Sequence, residues 1–143
     1  MLAPRHPERF GEIKELVNKK NLSNILYTEI SSNPNIKSDV TIVDVIGRLL
    51  DFYEIADCVF IGGTLVDHGG QNFLEPAFFN KPIISGRSTY NFDEISKKLS
   101  DLGLLKFVSN KDEISSVVEN IEAISDSLLS LIHISEPTRR NSI

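Results

Sequence analysis

Short apolar runs alternate with stretches of helical periodicity along the chain as far as Leu128. Val59–Ile61 and residues 82–84 are apolar runs too short for a helix, which is typical of strands buried on both faces of a sheet. Residues 7–18 and 91–102 instead repeat apolar side chains at helical spacing. Strands that alternate with helices form parallel sheets, because each crossover helix returns the chain to the start of the next strand. The pattern therefore predicts an α/β fold, a Rossmann-like parallel sheet with helices on both faces.

The same alternation of strands and helices continues along the rest of the chain and ends at Leu128. Further strands are predicted at residues 25–28, 41–43 and 106–108, and further helices at residues 47–55, 73–79 and 111–128. Residues 129–143 have no periodicity that links them to this pattern, and residues 129–139 resemble the translation of a transposase adapter used in sequencing libraries. We expect one domain over residues 1–128 and a non-native tail over residues 129–143.

The composition excludes several classes of protein. With a formal net charge of -5, the chain lacks the basic face that binding to DNA or RNA usually requires, so any phosphate site would be local. Cys58 is the single cysteine, which excludes an internal disulfide and predicts a buried thiol in a reducing compartment. No apolar stretch approaches the roughly 20 residues of a membrane-spanning helix, and the start lacks the pattern of a signal peptide, so we expect a soluble piece.

Two loops place anion-binding groups before predicted helices. Residues 3–10 read Ala-Pro-Arg-His-Pro-Glu-Arg-Phe and put the guanidiniums of Arg5 and Arg9 at a helix start, where either could fork onto phosphate or carboxylate oxygens. Residues 44–49 run from a strand into a helix, and Gly47 would let an anion approach the free amides of the first turn. Taken alone, the first loop is equally compatible with a solvated helix start, and the second is better explained by a plain strand-to-helix turn.

A third loop is rich in glycine. Four of the nine residues from 62 to 70 are glycine, which indicates a backbone held in tight turns or against a ligand. The loop carries neither a Walker sequence nor Gly-x-Gly-x-x-Gly. Glu75, early on the next helix, would either complement the helix dipole or accept hydrogen bonds from a ribose diol. Asp67 and His68 are too few and too isolated for a metal site, so no metal is predicted.

Together the three loops resemble the C-terminal domain of the 3-deoxy-D-manno-octulosonic acid (Kdo) transferases of lipopolysaccharide synthesis. The similarity covers residues 3–128, and its motifs are residues 3–10, Gly-Gly-Thr-Leu-Val at 62–66 and Gly-Gly-Gln-Asn-Phe-Leu-Glu-Pro at 69–76. It implies the C-terminal half of a glycosyltransferase-B fold, which binds the CMP part of the donor CMP-Kdo without a metal or other cofactor. The implied CMP-binding residues are Pro4, Arg5, Ile46, Gly47, Arg48, Asn72, Phe73, Leu74 and Glu75.

The resemblance also implies what the chain lacks. In this family the N-terminal domain holds the catalytic base, the acceptor site and the membrane-docking surface. The parent enzyme would transfer Kdo from CMP-Kdo to a lipid A precursor at the cytoplasmic face of the inner membrane, and the present piece would be inactive. The strand before residues 3–10 would be reduced to Met1 and Leu2, which predicts an unpaired sheet edge or an incomplete core.

Two positions depart from the family pattern. Arg48 stands where the family has Glu in Asp-Thr-Met-Gly-Glu-Leu, which puts a side-chain contact in doubt but leaves amide contacts. Gln71 stands where many relatives have His, which keeps hydrogen bonding but removes a titratable group. Two other functions stay open: another nucleotide-sugar glycosyltransferase or epimerase of the same fold, and a non-catalytic nucleotide-binding module. The module would be favoured if Arg5, the Gly47 turn and Glu75 did not meet in one cleft.

Overall fold

The computed structural model describes residues 1–126 of the 143-residue chain. The predicted tail over residues 129–143 and the predicted end of the last helix at Leu128 lie outside the described residues. The chain divides into two compact units, one of Met1–Leu49 and one from Leu50 onward. Each unit contains its own parallel sheet, so the predicted α/β class with parallel strands is confirmed.

The unit of Met1–Leu49 contains a two-stranded sheet covered by a helix. Val17 on the helix and Ile25 and Ile42 on the two strands are buried, because the apolar face of the helix packs on both strands. The elements in chain order are a 3-10 turn at Pro7–Arg9, helix α1 at Phe10–Lys19, strand β1 at Asn24–Leu26, helix α2 at Tyr27–Ile30 and strand β2 at Val40–Ile42.

Leu2 extends this sheet by one residue. It pairs in parallel with Ile42 on β2. The N–H of Leu2 donates to the carbonyl of Thr41 at 2.8 Å, and its own carbonyl accepts from the N–H of Val43 at 2.8 Å. The strand that was predicted before residues 3–10 is therefore present as a single bridge. This bridge fixes the point at which the loop of residues 3–10 begins.

Tyr27 and Thr28 are helical, so the prediction of a strand through residue 28 is wrong. The Asp44 carboxylate at the end of β2 accepts from the N–H of Thr28 at 3.0 Å and from its hydroxyl at 2.5 Å. The Glu29 carboxylate accepts from the N–H of Leu26 at 3.1 Å. These acceptors satisfy amide donors at the start of α2, as helix caps do. The strand therefore ends at Leu26.

The unit from Leu50 onward contains a three-stranded parallel sheet in the order β3-β4-β5. Phe60, Ile84 and Lys106 are aligned in register across it. Helix α3 at Leu49–Ile55 precedes the sheet. The further elements in chain order are β3 at Val59–Ile61, α4 at Leu74–Phe78, β4 at Ile83–Ser85, α5 at Asp93–Asp101, β5 at Leu105–Phe107 and α6 at Lys111–Glu119.

The core of this second unit is built around Phe73. The ring is fully buried and meets the ring of Phe92 edge-on, with 5.9 Å between centroids. Edge-on geometry is favourable for aromatic pairs. Side chains from all three strands and from α5 surround it: Ile61, Ile83, Leu105 and Leu99.

Several predicted helix boundaries are corrected by the structure, among them the three that follow. Helix α3 begins at Leu49 and not at Gly47, because Gly47 has a φ of 81°, which is not helical. Helix α4 begins at Leu74, one residue later than predicted. The last predicted helix is interrupted at Asn120, and residues 121–126 are helical again. Among residues 1–126, no helix has the length and apolar character needed to cross a membrane.

Candidate functional site

In the unit of Met1–Leu49, two of the predicted loops begin at the ends of neighbouring strands. Pro4 and Arg5 follow Leu2, and residues 46–48 follow β2, with which Leu2 pairs in parallel. The carboxyl ends of parallel strands meet at one edge of a sheet, which is where ligands of α/β folds bind. The sheet therefore brings these five predicted residues to the same edge. Pro4 is half-buried, and the other four are exposed.

Arg9, the other guanidinium of the first loop, is engaged within its own helix. Its Nε donates to Glu12 Oε2 at 3.1 Å, and its Nη2 donates to Glu12 Oε1 at 3.4 Å. These hydrogen bonds, with the attraction between the charges, raise the pKa of Arg9 and lower the pKa of Glu12. The Arg9 guanidinium therefore already has a carboxylate partner.

Gly47 forms a turn before α3 and not the first turn of a helix. Its φ of 81° lies in the left-handed region, and a Cβ added there would meet no atom within 4 Å. Glycine is thus required at this position by backbone conformation and not by lack of space. The amides that the sequence assigned to a helix start at residues 46–48 belong to this turn.

The other predicted residues, 72–75, lie at the start of α4 in the second unit. The Asn72 Oδ1 accepts from the N–H of Leu74 at 2.9 Å. Phe73 is buried in the core, so any contact with a ligand at this position would come from its backbone. Leu74 is 54% exposed and Glu75 is half-buried. Asn72 thus shapes the start of the helix, and Leu74 and Glu75 offer side chains at the surface.

Glu75 lies beside an apolar depression of about 310 Å³. The other lining residues are Leu50, Leu74, Phe78 and Phe79. Tyr53 is buried nearby, and burial together with the charge of Glu75 raises the pKa of its phenol to about 12. A carboxylate at the margin of an apolar surface can accept hydrogen bonds from vicinal hydroxyls while a ring packs on the apolar wall.

The glycine-rich loop packs against the segment between β4 and α5. The N–H of Gly69 donates to Ser88 Oγ at 3.1 Å, and Asn91 Nδ2 donates to the carbonyl of His68 at 3.4 Å. A Cβ on Gly69 would lie 2.6 Å from both Asn91 and the ring of Tyr90. The sequence left two explanations for the glycines of this loop, tight turns or contact with a ligand. For Gly69 the tight turn is sufficient without a ligand.

A second, polar cleft was missed by the sequence reasoning. It encloses about 460 Å³, and its lining includes Asp67, Arg87, Tyr90 and Ser109. The available signal was the polar run of residues 87–90, which comes directly after the buried strand β4 and Gly86. Within residues 1–126, no three His, Cys, Asp or Glu side chains are grouped so as to hold a metal ion.

Most of the chain is similar in sequence to one group of curated enzymes. A 3-deoxy-D-manno-octulosonic acid transferase of Haemophilus influenzae is 39% identical over 120 residues, which are 83% of this chain and 28% of that protein. The transferase of Chlamydophila psittaci is 37% identical over 101 residues, 70% of this chain and 23% of that protein. The chain thus spans about a quarter of the length of these relatives. No family model matches it.

Two further comparisons bear on the domain. A bifunctional glycosyltransferase/methyltransferase of Fusobacterium nucleatum is 36% identical over 123 residues, 85% of this chain and 19% of that protein. The crystal structure of the C-terminal CMP-Kdo binding domain of WaaA from Acinetobacter baumannii matches with a TM-score of 0.73 and 25% identity, over 90% of this chain and 70% of that one. The chain is therefore a homologue of the 3-deoxy-D-manno-octulosonic acid transferases, in the part of them that forms the C-terminal domain.

Proposed function

We propose that the chain is the donor-binding part of a glycosyltransferase that transfers Kdo from CMP-Kdo to a lipid A precursor. The observation that carries this proposal is the match to a CMP-Kdo binding domain over 90% of the chain. Two groups of loops support it, because both lie in positions that bind ligands in α/β folds: residues 4–5 with 46–48, and residues 72–75. CMP-Kdo would be the donor substrate, and we propose no cofactor for this role.

Within this proposal, each group of residues takes a different part of CMP. Arg5 carries a permanent charge and a planar fork of donors, which suits the phosphate. The Gly47 turn allows the phosphate to approach backbone amides whatever the residue at position 48, so Arg48 in place of the family's Glu is tolerated. Glu75 accepts from the ribose hydroxyls, and Leu74 offers an apolar wall beside it.

Transfer itself requires groups that we assign to a preceding N-terminal domain of the parent enzyme. That domain would supply the catalytic base, the lipid acceptor site and the membrane contact at the cytoplasmic face of the inner membrane. The present chain would bind the donor and would not catalyse transfer. We also propose that residues 1–128 form the binding domain and that residues 129–143 are a non-native tail.

Isothermal titration of this chain with CMP and UMP tests the proposal. We expect CMP to bind more tightly than UMP. Arg5→Ala and Glu75→Ala should each weaken CMP binding about tenfold or more, which is the size of a lost charge-assisted hydrogen bond.

Matched variants separate a site effect from a general effect of charge. Lys19→Ala and Glu119→Ala remove the same charges at exposed helix positions outside both groups of residues and should leave CMP binding unchanged. Circular dichroism would establish that every variant is folded. A folded chain that does not bind CMP, or that loses as much affinity in the control variants, would overturn the proposed site.

A further inference from the structure

None of the residues assigned to CMP is among those that line the polar cleft of the second unit. It encloses about 460 Å³ and lies where the three parallel strands end. Residues 64–67 follow β3, residues 87–90 follow β4, and Ser109 follows β5. Because the carboxyl ends of parallel strands form the ligand-binding edge of such sheets, the position of the cleft is that of a binding site.

Seven of the ten described residues that line this cleft carry a hydroxyl or a carboxylate, and Leu65 and Val66 add an apolar part. The Asp93 carboxylate is held by the Thr89 hydroxyl, which donates to it at 2.8 Å, and Asp67 is exposed on the glycine-rich loop. Carboxylates accept hydrogen bonds from sugar hydroxyls, and side-chain hydroxyls both donate and accept them. Hydroxyl groups come from Ser88, Thr89, Tyr90 and Ser109. The wall is therefore suited to a polyhydroxylated ligand.

Among the described residues that line the cleft, Arg87 is the one cation. Its guanidinium carbon lies 5.7 Å from the centroid of the Phe107 ring, in a cation–π contact. Within residues 1–126, Arg87 forms no ion pair. A guanidinium that packs on a ring keeps the N–H donors at its edge, and these match the two oxygens of a carboxylate.

We propose that this cleft binds the sugar of the donor and that Arg87 pairs with the carboxylate of a sugar acid. The inference rests on the proposed function, which supplies such a ligand because Kdo is an octulosonic acid. Asp67 and the hydroxyl groups of the wall would bind the sugar hydroxyls. Phosphate would also pair with a guanidinium, so the nucleotide is the rival source of the anion. We assign Arg87 to the sugar because residues with hydroxyls and carboxylates line the same cleft.

The test compares three soluble probes by NMR titration of the isotope-labelled chain: free Kdo, its neutral methyl ester and CMP. We expect Kdo to shift the Arg87 side-chain signal and the amides of residues 88 and 109. The methyl ester should bind at least tenfold more weakly, because it lacks the charge. Arg87→Gln should weaken Kdo binding by about tenfold or more and leave CMP binding unchanged.

Two further variants make the result specific to Arg87. Lys106→Gln removes one positive charge from an exposed position on β5 outside the cleft and should change neither affinity. Arg87→Lys keeps the charge without the fork and should give an intermediate affinity for Kdo. Equal binding of Kdo and its ester, unchanged Kdo binding in Arg87→Gln, or loss of CMP binding in that variant would each overturn the assignment. Because CMP binding by the unaltered chain is measured separately, failure here is distinguishable from failure of the proposed function.

Discussion

The hydroxyl of Thr64 links the glycine-rich loop to the backbone of Gly86 at the end of β4. It accepts from the N–H of Gly86 at 2.8 Å and donates to the carbonyl of Ile61 at 2.7 Å. The carbonyl of Thr64 accepts from the N–H of Ser88 at 3.0 Å. Thr64 and Gly86 are both buried. Two of these hydrogen bonds join the loops that follow β3 and β4, and the third ties Thr64 to the end of β3.

Gly86→Ala should destabilise the second unit strongly. A Cβ at this position would lie 2.1 Å from the backbone carbonyl oxygen of Thr64, which cannot move without breaking these hydrogen bonds. We expect a loss of roughly 3 kcal/mol or more in the free energy of unfolding, at the upper end of overpacking effects. Gly62→Ala is the matched control, since its Cβ would meet nothing within 4 Å. Urea denaturation followed by circular dichroism measures both, and equal midpoints would contradict the close approach.

Thr64→Val should cost about 1–3 kcal/mol of stability, because it leaves the buried N–H of Gly86 without an acceptor. Thr64→Ser keeps the hydroxyl and should cost less, although it loses a methyl group. The same denaturation experiment ranks the two variants. A larger loss in Thr64→Ser would show that packing of the methyl group outweighs the hydrogen bonds.

Tyr53 should make the second unit sensitive to alkali. Its pKa in the folded chain is raised from 10.0 to about 12, so the stability it contributes is complete below pH 10 and is lost as the pH rises towards 12. Glu75→Gln should lower the pKa of Tyr53 while leaving it above 10.0, because burial is the larger cause. Absorbance titration of the tyrosinate, with Tyr27 and Tyr90 replaced by Phe, gives the value directly. An unchanged pKa in Glu75→Gln would rule out the influence of Glu75.

Asp39 should titrate at unusually low pH in the folded chain. The hydroxyl of Ser23 donates to its carboxylate at 2.6 Å and the N–H of Ser23 at 2.8 Å, and these bonds lower its pKa below 3.8. Its contribution to stability is therefore present above pH 3.8 and is lost as the pH falls through the folded pKa. NMR titration of the carboxyl checks this, and Ser23→Ala should raise the pKa towards 3.8. A normal value before the substitution would contradict the hydrogen bonds.

Asn110 should stabilise the start of α6. Its Oδ1 accepts from the N–H groups of Asp112 at 2.9 Å and Glu113 at 3.1 Å. Asn110→Ala should therefore cost about 1 kcal/mol, whereas Asn110→Asp keeps an acceptor and should cost little. Amide hydrogen exchange across Lys111–Glu119 reports the difference. Equal exchange in the two variants would show that the cap contributes nothing.

The local sequence pattern predicted those elements whose conformation depends mainly on their own residues. Val59–Ile61 has the predicted bounds, because a short apolar run before two glycines has few other conformations. The strand after Asn24 was extended too far because Tyr27 and Thr28 favour strands, whereas their conformation is set by Asp44, 16 residues along the chain. Such long-range hydrogen bonds do not produce a periodic pattern in the sequence.

The candidate site shows the same difference between what local sequence determines and what tertiary structure determines. The motif around residues 69–76 located Glu75 and the start of α4, but it could not reveal that Phe73 is fully buried. Arg87 was missed because none of the three motifs includes it, and its presence in one cleft with Asp67 depends on the fold that brings β3 and β4 together. A contiguous motif could suggest candidate residues such as Glu75, whereas candidates that only tertiary structure brings together, such as Arg87, could not be found from the sequence.

The two hydrogen bonds between Thr64 and the residues that follow β4 have a consequence for affinity. Their backbone partners hold two walls of the polar cleft in one conformation before any ligand arrives. Binding there would consequently not have to immobilise a loose loop, which typically costs about 0.5–1.5 kcal/mol for each side chain ordered. A preorganised wall allows a small, strongly hydrated sugar to be selected by a few well-placed groups.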